Sequence, residues 1–140
     1  MNKSHILSFL CGGLAVLGVM TVSQSTNAQS PNHVYELRTY TAPPGKLDAL
    51  EARFRDHTEA IFKRHGLHAI GYWVPQDNKN NNLIYIVEHK SNEDAKKNWA
   101  AFQADEEWKK VRAESEAGGP LTTKPPEAVY MNPTDFSRLK

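Results

Sequence analysis

The sequence predicts a small α+β domain in which a four-stranded antiparallel sheet carries helices on one face. Apolar residues alternate with a period of two in four segments, and in the segments between them they recur at three- and four-residue spacing, in the order β-α-β-β-α-β. The chain has 140 residues, of which 39% are hydrophobic and 24% charged. That length suits one domain with a core of its own, and it excludes several domains joined by linkers.

The formal charge is nearly balanced, with 17 Lys and Arg against 16 Asp and Glu. A net charge of +1 provides no basic field for a phosphate backbone. We therefore predict no nucleic-acid partner.

The first 28 residues have the pattern of a secretory signal peptide. Lys3 is followed by an apolar run over 6–22 and by the small-x-small signal Thr26-Asn27-Ala28. Cleavage after Ala28 would leave a domain over 29–140 that is periplasmic or secreted and has no membrane contact. A transmembrane anchor is the alternative, because the run reaches the lower edge of spanning length.

Cys11 is the only cysteine and lies within this leader. A lipid anchor on Cys11 is disfavoured, because bulky Phe9 and Leu10 precede it and most of the apolar run follows it. The mature chain would contain no cysteine and would be formally neutral. Thiol catalysis, zinc knuckles and iron–sulfur ligation are thereby excluded.

The first strand and helix follow directly. Residues 34–41 alternate and are rich in β-branched and aromatic types, which predicts a strand that ends before Pro43-Pro44-Gly45. From Lys46 the period becomes helical, and His65-Gly66 is typical of a helix end. The apolar stripe of this helix comprises Leu47, Leu50, Phe54, His57 or Thr58, and Ile61.

The remaining elements have equally clear boundaries. Strands are predicted over 67–74 and 83–90, joined by the polar loop 76–82. Ser91 and Asp105 are predicted N-caps of two further helices, and a short last strand covers 128–132.

This element order is that of the ferredoxin-like sandwich, whose helices cover only one face of the sheet. The other face would expose apolar side chains over a larger area than soluble monomers usually show. A second copy of the chain is the simplest cover, which predicts a homodimer.

Short motifs that are shared with a known family are spread along the mature chain. They are Val34-Tyr35-Glu36-Leu37-Arg38-Thr39-Tyr40, Pro44-Gly45, His65-Gly66, Gly71-Tyr72-Trp73, Leu83-Ile84-Tyr85, Trp99 and Pro133-Thr134-Asp135-Phe136. On these residues the mature chain resembles the NIPSNAP family over nearly its whole length. The resemblance implies a ferredoxin-like domain that pairs into a dimeric α/β barrel.

One candidate ligand site is the first strand, where alternation places Glu36, Arg38 and Tyr40 on one face. They could line a pocket as an acid, a cationic clamp and a hydrogen-bonding wall. The alternative is a structural ion pair. Glu88 is expected on the same face, and a Glu-Arg-Glu cluster would keep both carboxylates ionised.

Two histidines are candidates for a general base or a ligand, His57 beside the helical stripe and His89 on the third strand. A hydrogen-bonded or solvent-exposed histidine is the alternative for each. None of the histidine spacings typical of metal motifs occurs, so we predict no metal site.

The aromatic residues Tyr72, Tyr85 and Trp99, with Trp73 and Trp108, could enclose a small apolar or aromatic ligand. A role in the core or in the dimer interface is the alternative. Motifs for serine hydrolases, P-loops, dinucleotides and calcium are missing from the sequence, and no cofactor is predicted.

Three functions remain open from the sequence. The first is an exported, homodimeric small-molecule-binding or interaction protein without an assigned catalytic residue. The second is a cofactor-independent monooxygenase or a haem-handling enzyme, by analogy with other families of dimeric α/β barrels. The third is a scaffold without a ligand. A Soret band on haem addition would favour the haem branch of the second.

Overall fold

The computed structural model describes residues 33–140, so the predicted signal peptide lies outside the described residues. Its sheet is antiparallel, with the strand order β2-β3-β1-β4. The strands are β1 (Val34–Thr41), β2 (His68–Trp73), β3 (Asn82–His89) and β4 (Glu127–Met131). This order, with β1 and β3 in the centre, confirms the predicted ferredoxin-like architecture.

The helices begin where the predicted caps place them. The Ser91 side chain accepts a hydrogen bond from the Asp94 amide at 3.1 Å, and Asp105 accepts one from the Trp108 amide at 3.0 Å. Within 33–140, none of the helices combines the length and apolarity needed to cross a bilayer. The helical segments are α1 (Leu47–Arg53), a π-helical segment (Phe54–Thr58), α2 (Glu59–Arg64), α3 (Asn92–Ala104) and α4 (Glu106–Ser115).

The π-helical segment interrupts what the sequence predicts as one regular helix. The Thr58 hydroxyl donates to the Arg53 carbonyl five residues earlier, at 3.1 Å. The wider turn buries Thr58 and leaves His57 exposed, which decides between the two residues that periodicity left open. It also leaves Arg53 buried beside Phe54.

The helical run ends at Gly66, whose φ of 70° favours glycine. The Leu67 amide then donates to the Phe62 carbonyl at 2.9 Å. This closure satisfies a terminal carbonyl and leads the chain directly into β2.

Strand register decides which side chains face the helices. In the β1–β3 pair, Glu36 lies opposite Val87 and Arg38 lies opposite Tyr85. Tyr85 and Val87 are fully buried, so this is the helix-covered face. The core on this side comprises Ala42, Leu50, Phe54, Ile61, Phe62, Leu67, Leu83, Tyr85, Val87, Phe102, Val111 and Leu121.

The opposite face of the sheet, here called the outer face, is apolar at its centre. Leu37 lies opposite both Ile86 on β3 and Val129 on β4. Trp73 is 50% exposed and Val129 is 53% exposed. The apolar residues of the outer face are Leu37, Trp73, Ile84, Ile86, Val129 and Met131.

Candidate functional site

The helix-covered face of the sheet contains a fully buried carboxylate, that of Glu36. Arg38 Nη1 donates to its Oε1 at 2.6 Å. Trp99 Nε1 and His89 Nε2 donate to its Oε2 at 2.6 and 2.9 Å. Strands β1 and β3 and helix α3 therefore meet at one anion. We call these four residues the Glu36 cluster.

The Glu36 carboxyl is held as the anion. Burial by itself raises its pKa, but the hydrogen bonds from His89 and Trp99 and the charge of Arg38 outweigh burial and lower it. An ionised carboxylate with three donors serves to position cations and N–H groups. It is not available as a general acid near neutral pH.

The Arg38 guanidinium is both paired and stacked. Burial opposes its charge, but Tyr85, Tyr40 and Glu36 raise its pKa above the ordinary value for arginine. Its Cζ lies 4.2 Å from the centroid of the Trp99 ring. Glu36 and Trp99 thus fix the direction in which this cation points.

His89 is buried, and its ring is fixed by the bond from Nε2 to Glu36. Donation from Nε2 leaves Nδ1 without a proton in the neutral tautomer. Nδ1 is buried and has no partner among the described residues. As placed, His89 supports the Glu36 anion and does not face solvent.

The predicted tyrosines form a row beside this cluster. The Tyr85 hydroxyl donates to the Tyr40 hydroxyl at 3.3 Å, and the Tyr72 and Tyr85 ring centroids are 5.3 Å apart. Burial is the main cause that raises the pKa of Tyr85 and of Tyr72, so both stay neutral phenols. The Tyr72 hydroxyl donates to Glu59.

A cavity of about 430 Å³ opens next to Arg38, between β1 and the helices α1, α3 and α4. Its size is that of a small-molecule site. Arg38 and Tyr40 lie at its sheet side, and Trp99, Phe102 and Trp108 line its helix side. We call it the Arg38 cavity.

A second cavity of about 350 Å³ lies at the β2 end of the sheet, where Tyr72, Trp73 and Phe54 line it. The Tyr72 hydroxyl in this cavity is already paired with Glu59, and the cavity contains no residue of the Glu36 cluster. Both cavities have charged side chains in their walls, but the Arg38 cavity is the one of the two that contains a cation oriented by a fully buried carboxylate, which makes it the better candidate.

Two residues that the sequence predicted for the site, His57 and Glu88, lie outside it. His57 is exposed on the helical run and lines neither of these two cavities. Glu88 was expected beside Glu36, but this is wrong, because it lies opposite Tyr35 on the outer face. There it accepts hydrogen bonds from His33, His68 and Tyr35 at 2.8 to 2.9 Å.

Sequence reasoning did not single out two residues of this region. Arg53 lines the Arg38 cavity, and its position three residues after Leu50 on the apolar helical stripe could have indicated its burial. Tyr130 lies opposite Glu36 in the β1–β4 pair. Burial and the nearby Glu36 charge raise its pKa, and only the strand register reveals this contact.

Within residues 33–140, three or more His, Cys, Asp or Glu side chains nowhere converge in an arrangement that could hold a metal ion. The charged groups at the Arg38 cavity belong instead to arginine and carboxylate pairs, which suit the recognition of organic groups.

These features define the class as a ferredoxin-like α+β domain with a buried carboxylate–arginine cluster beside a cavity. The NIPSNAP sequence pattern matches residues 35–138. The chain belongs to the NIPSNAP family, as the sequence resemblance implied.

Solved structures agree with this assignment. The chain is 25% identical to a NIPSNAP family protein of unknown function from Agrobacterium tumefaciens, with a TM-score of 0.69 over 79% of this chain and 96% of that one. A NIPSNAP-like domain protein from Burkholderia xenovorans gives 20% identity and a TM-score of 0.68, over 76% and 90% of the two chains.

The same fold occurs in an enzyme family. A monooxygenase from Streptomyces coelicolor, in complex with nanaomycin D, gives a TM-score of 0.52 at 14% identity, over 74% of this chain and 89% of that one. This likeness shows the fold alone. No curated protein is significantly similar to the chain.

Proposed function

We propose that this NIPSNAP protein is an exported homodimer that binds a small organic molecule in the Arg38 cavity. The observation that carries the proposal is the preorganised cation at the cavity wall. Arg38 is paired with the buried Glu36 and stacked on Trp99 before any ligand arrives. A group that is already oriented loses little freedom on binding.

Binding is favoured over acid–base catalysis because of the state of the Glu36 carboxyl. Its lowered pKa removes a proton donor and makes it a weak base, and its three hydrogen bonds take three of the roughly four lone-pair sites of a carboxylate. His89 is committed to the same carboxylate. Glu36 and His89 thus support Arg38 and Trp99, which line the cavity.

Blocking the cavity tests the proposal. Thr122 lines the cavity, whereas the neighbouring Thr123 does not. We expect at least one member of a panel of neutral, anionic and cationic planar compounds to raise the melting temperature of the wild-type protein by several degrees. The Thr122→Trp variant should lose this shift, because the bulky indole would occupy space inside the cavity.

Thr123→Trp is the matched control and should retain the shift. The Thr123 amide would keep its hydrogen bond to the Thr41 carbonyl at 2.8 Å, and only the hydroxyl bond to that carbonyl would be lost. A shift that survives in Thr122→Trp would place the ligand elsewhere. A panel without any shift would instead favour a scaffold that has no ligand.

Export is the part of the proposal that rests on Lys3, the apolar run 6–22 and Thr26-Asn27-Ala28. The mature protein is expected to begin at Gln29 and to be found in the periplasm or the medium. Intact-mass measurement of the exported protein checks the cleavage site. Retention of Met1 to Ala28 in a membrane fraction would contradict it.

The homodimer is the part of the proposal that rests on the outer face. Its apolar side chains remain accessible in the single chain: Trp73 and Val129, on the two edge strands, are each about half exposed, and Leu37 and Ile86, on the central strands, are partly exposed. A copy of the same sheet is self-complementary to this face and would hide it around a two-fold axis.

A further inference from the structure

The Arg38 cavity is lined by more positive than negative side chains. Its cationic residues come from three elements, namely Arg38 on β1, Arg53 on α1, and Lys109 and Arg112 on α4. Among its lining residues, Glu116 is the one carboxylate.

Each of these cations already has a carboxylate partner. Arg53 and Arg112 share Glu116, with N–O distances of 2.9 and 3.4 Å. Arg38 is paired with Glu36, and Lys109 with Glu106, each at 2.6 Å. Four cations against three carboxylates leave one positive charge at the cavity. A ligand with a single negative charge would balance it.

The guanidinium of Arg38 is the arginine group on β1 that a ligand could reach, because its side chain is 16% exposed. The Nε atoms of Arg38 and Arg53 are buried and have no partner among residues 33–140, so they do not open onto the cavity. The Arg53 side chain is 3% exposed and contributes its charge to the cavity wall. A carboxylate is the acceptor that matches an accessible guanidinium best.

The walls of the cavity suit a flat apolar body. Trp108 and Phe102 have ring centroids 4.5 Å apart at 33°, which makes a broad aromatic surface. Arg53 lies over the Trp108 ring at 5.3 Å, and Arg38 lies over the Trp99 ring at 4.2 Å. Arg53 and Arg38 are thus each next to an indole, so that charge and aromatic surface are presented together.

We propose that the ligand of the Arg38 cavity is a planar aromatic monoanion, with its carboxylate facing the arginines and its ring against Trp99 and Trp108. This inference rests on the proposed function and adds the chemical class of the ligand. Two arginines next to two indoles select for both the charge and the flat shape.

The test compares two probes of one shape, 2-naphthoate and the neutral naphthalene-2-carboxamide. Both are titrated into the purified protein at pH 7, with tryptophan fluorescence and calorimetry as readouts. We expect naphthoate to bind at least tenfold more tightly than the carboxamide. Its affinity should fall as salt is raised, because the cavity cations are partly solvated.

Variants locate the charge effect. Lys109 and Arg112 are more than half exposed, so Lys109→Gln and Arg112→Gln should leave the fold intact. Each of these two variants is expected to weaken the binding of 2-naphthoate at least threefold. The affinity for naphthalene-2-carboxamide should stay unchanged. Lys110→Gln is the matched control, because Lys110 lies on the same helix but does not line the cavity.

Each other outcome contradicts the inference. Equal affinities for the two probes, both lost in Thr122→Trp, would remove the preference for an anion and leave the binding function in place. An equal loss in Lys109→Gln and Lys110→Gln would indicate a diffuse surface field. If neither probe binds saturably, the ligand class is wrong, and the compound panel then decides the binding function separately.

Discussion

Replacement of Glu36 by glutamine is expected to lower the free energy of unfolding by about 3 kcal/mol, the lower end of the range for breaking a buried ion pair. The variant leaves Arg38 with a buried charge and no anion. If the amide oxygen replaces Oε2 and keeps the bonds from His89 and Trp99, the amide N–H₂ group replaces Oε1 and is set against the Arg38 N–H donor. The lower end applies because the Arg38 side chain keeps 16% of its exposure.

Glu88→Gln is the matched control for Glu36→Gln. Both glutamates lie within the sheet, and both accept three hydrogen bonds. However, Glu88 is 23% exposed and has partly solvated histidine partners. Its replacement is expected to cost less than about 1 kcal/mol. Urea denaturation measures the free energy of unfolding of both variants. Equal losses of stability would show that the burial of Glu36 does not increase its contribution.

The difference in stability between the wild-type protein and Glu36→Gln is expected to depend on pH. Because folding lowers the pKa of Glu36, its contribution to stability is complete above the ordinary glutamate value of 4.5 and is lost as pH falls toward the lowered value. The gap between wild type and Glu36→Gln should therefore be constant near neutral pH and should narrow below about pH 4.5. A gap that widens on acidification would contradict the assignment of an ionised Glu36.

The second large effect is expected at neighbouring positions of β3. Val87 is fully buried under the helices, whereas Ile86 belongs to the outer face. Val87→Asp should unfold the chain, because a carboxylate would be buried there without a partner. Ile86→Asp should leave the fold intact and yield monomers, since a two-fold axis introduces the charge twice into the proposed interface.

Circular dichroism and light scattering across protein concentration separate these outcomes. A stable interface of standard size buries about 800 Å² per subunit, so the wild-type protein should stay dimeric at tens of micromolar. A wild-type monomer at that concentration would end the dimer proposal. Unfolding by Ile86→Asp would show instead that the outer face belongs to the core of one chain.

Much of the fold could be predicted because its signals are local. Strand β1 has the predicted bounds, and each of the other three strands differs from its prediction by one residue at both ends. Ser91 and Asp105 cap helices as expected. The π-helical turn could not be predicted, because it depends on the Thr58 hydroxyl reaching the Arg53 carbonyl in the packed helix. Burial of Thr58 instead of His57 follows from that turn.

The site was partly predictable. Glu36, Arg38, His89 and Trp99 were each candidates and lie together, whereas His57 lies apart. Arg53, on the wall of the same cavity, was not recognised. A residue's type indicates the chemistry it can do. Whether it meets a partner depends on how helices cross the sheet, which periodicity does not specify.

What the sequence alone determined is which side chains share a face within the regular strands β1 and β3. Glu36, Arg38 and Tyr40 form one row on β1, and Glu88 belongs to the row of β3 that excludes Val87, because side chains alternate with a period of two. Only the tertiary structure decided which rows meet. Register places Val87, and not Glu88, opposite Glu36, and a shift by one residue would have reversed that choice.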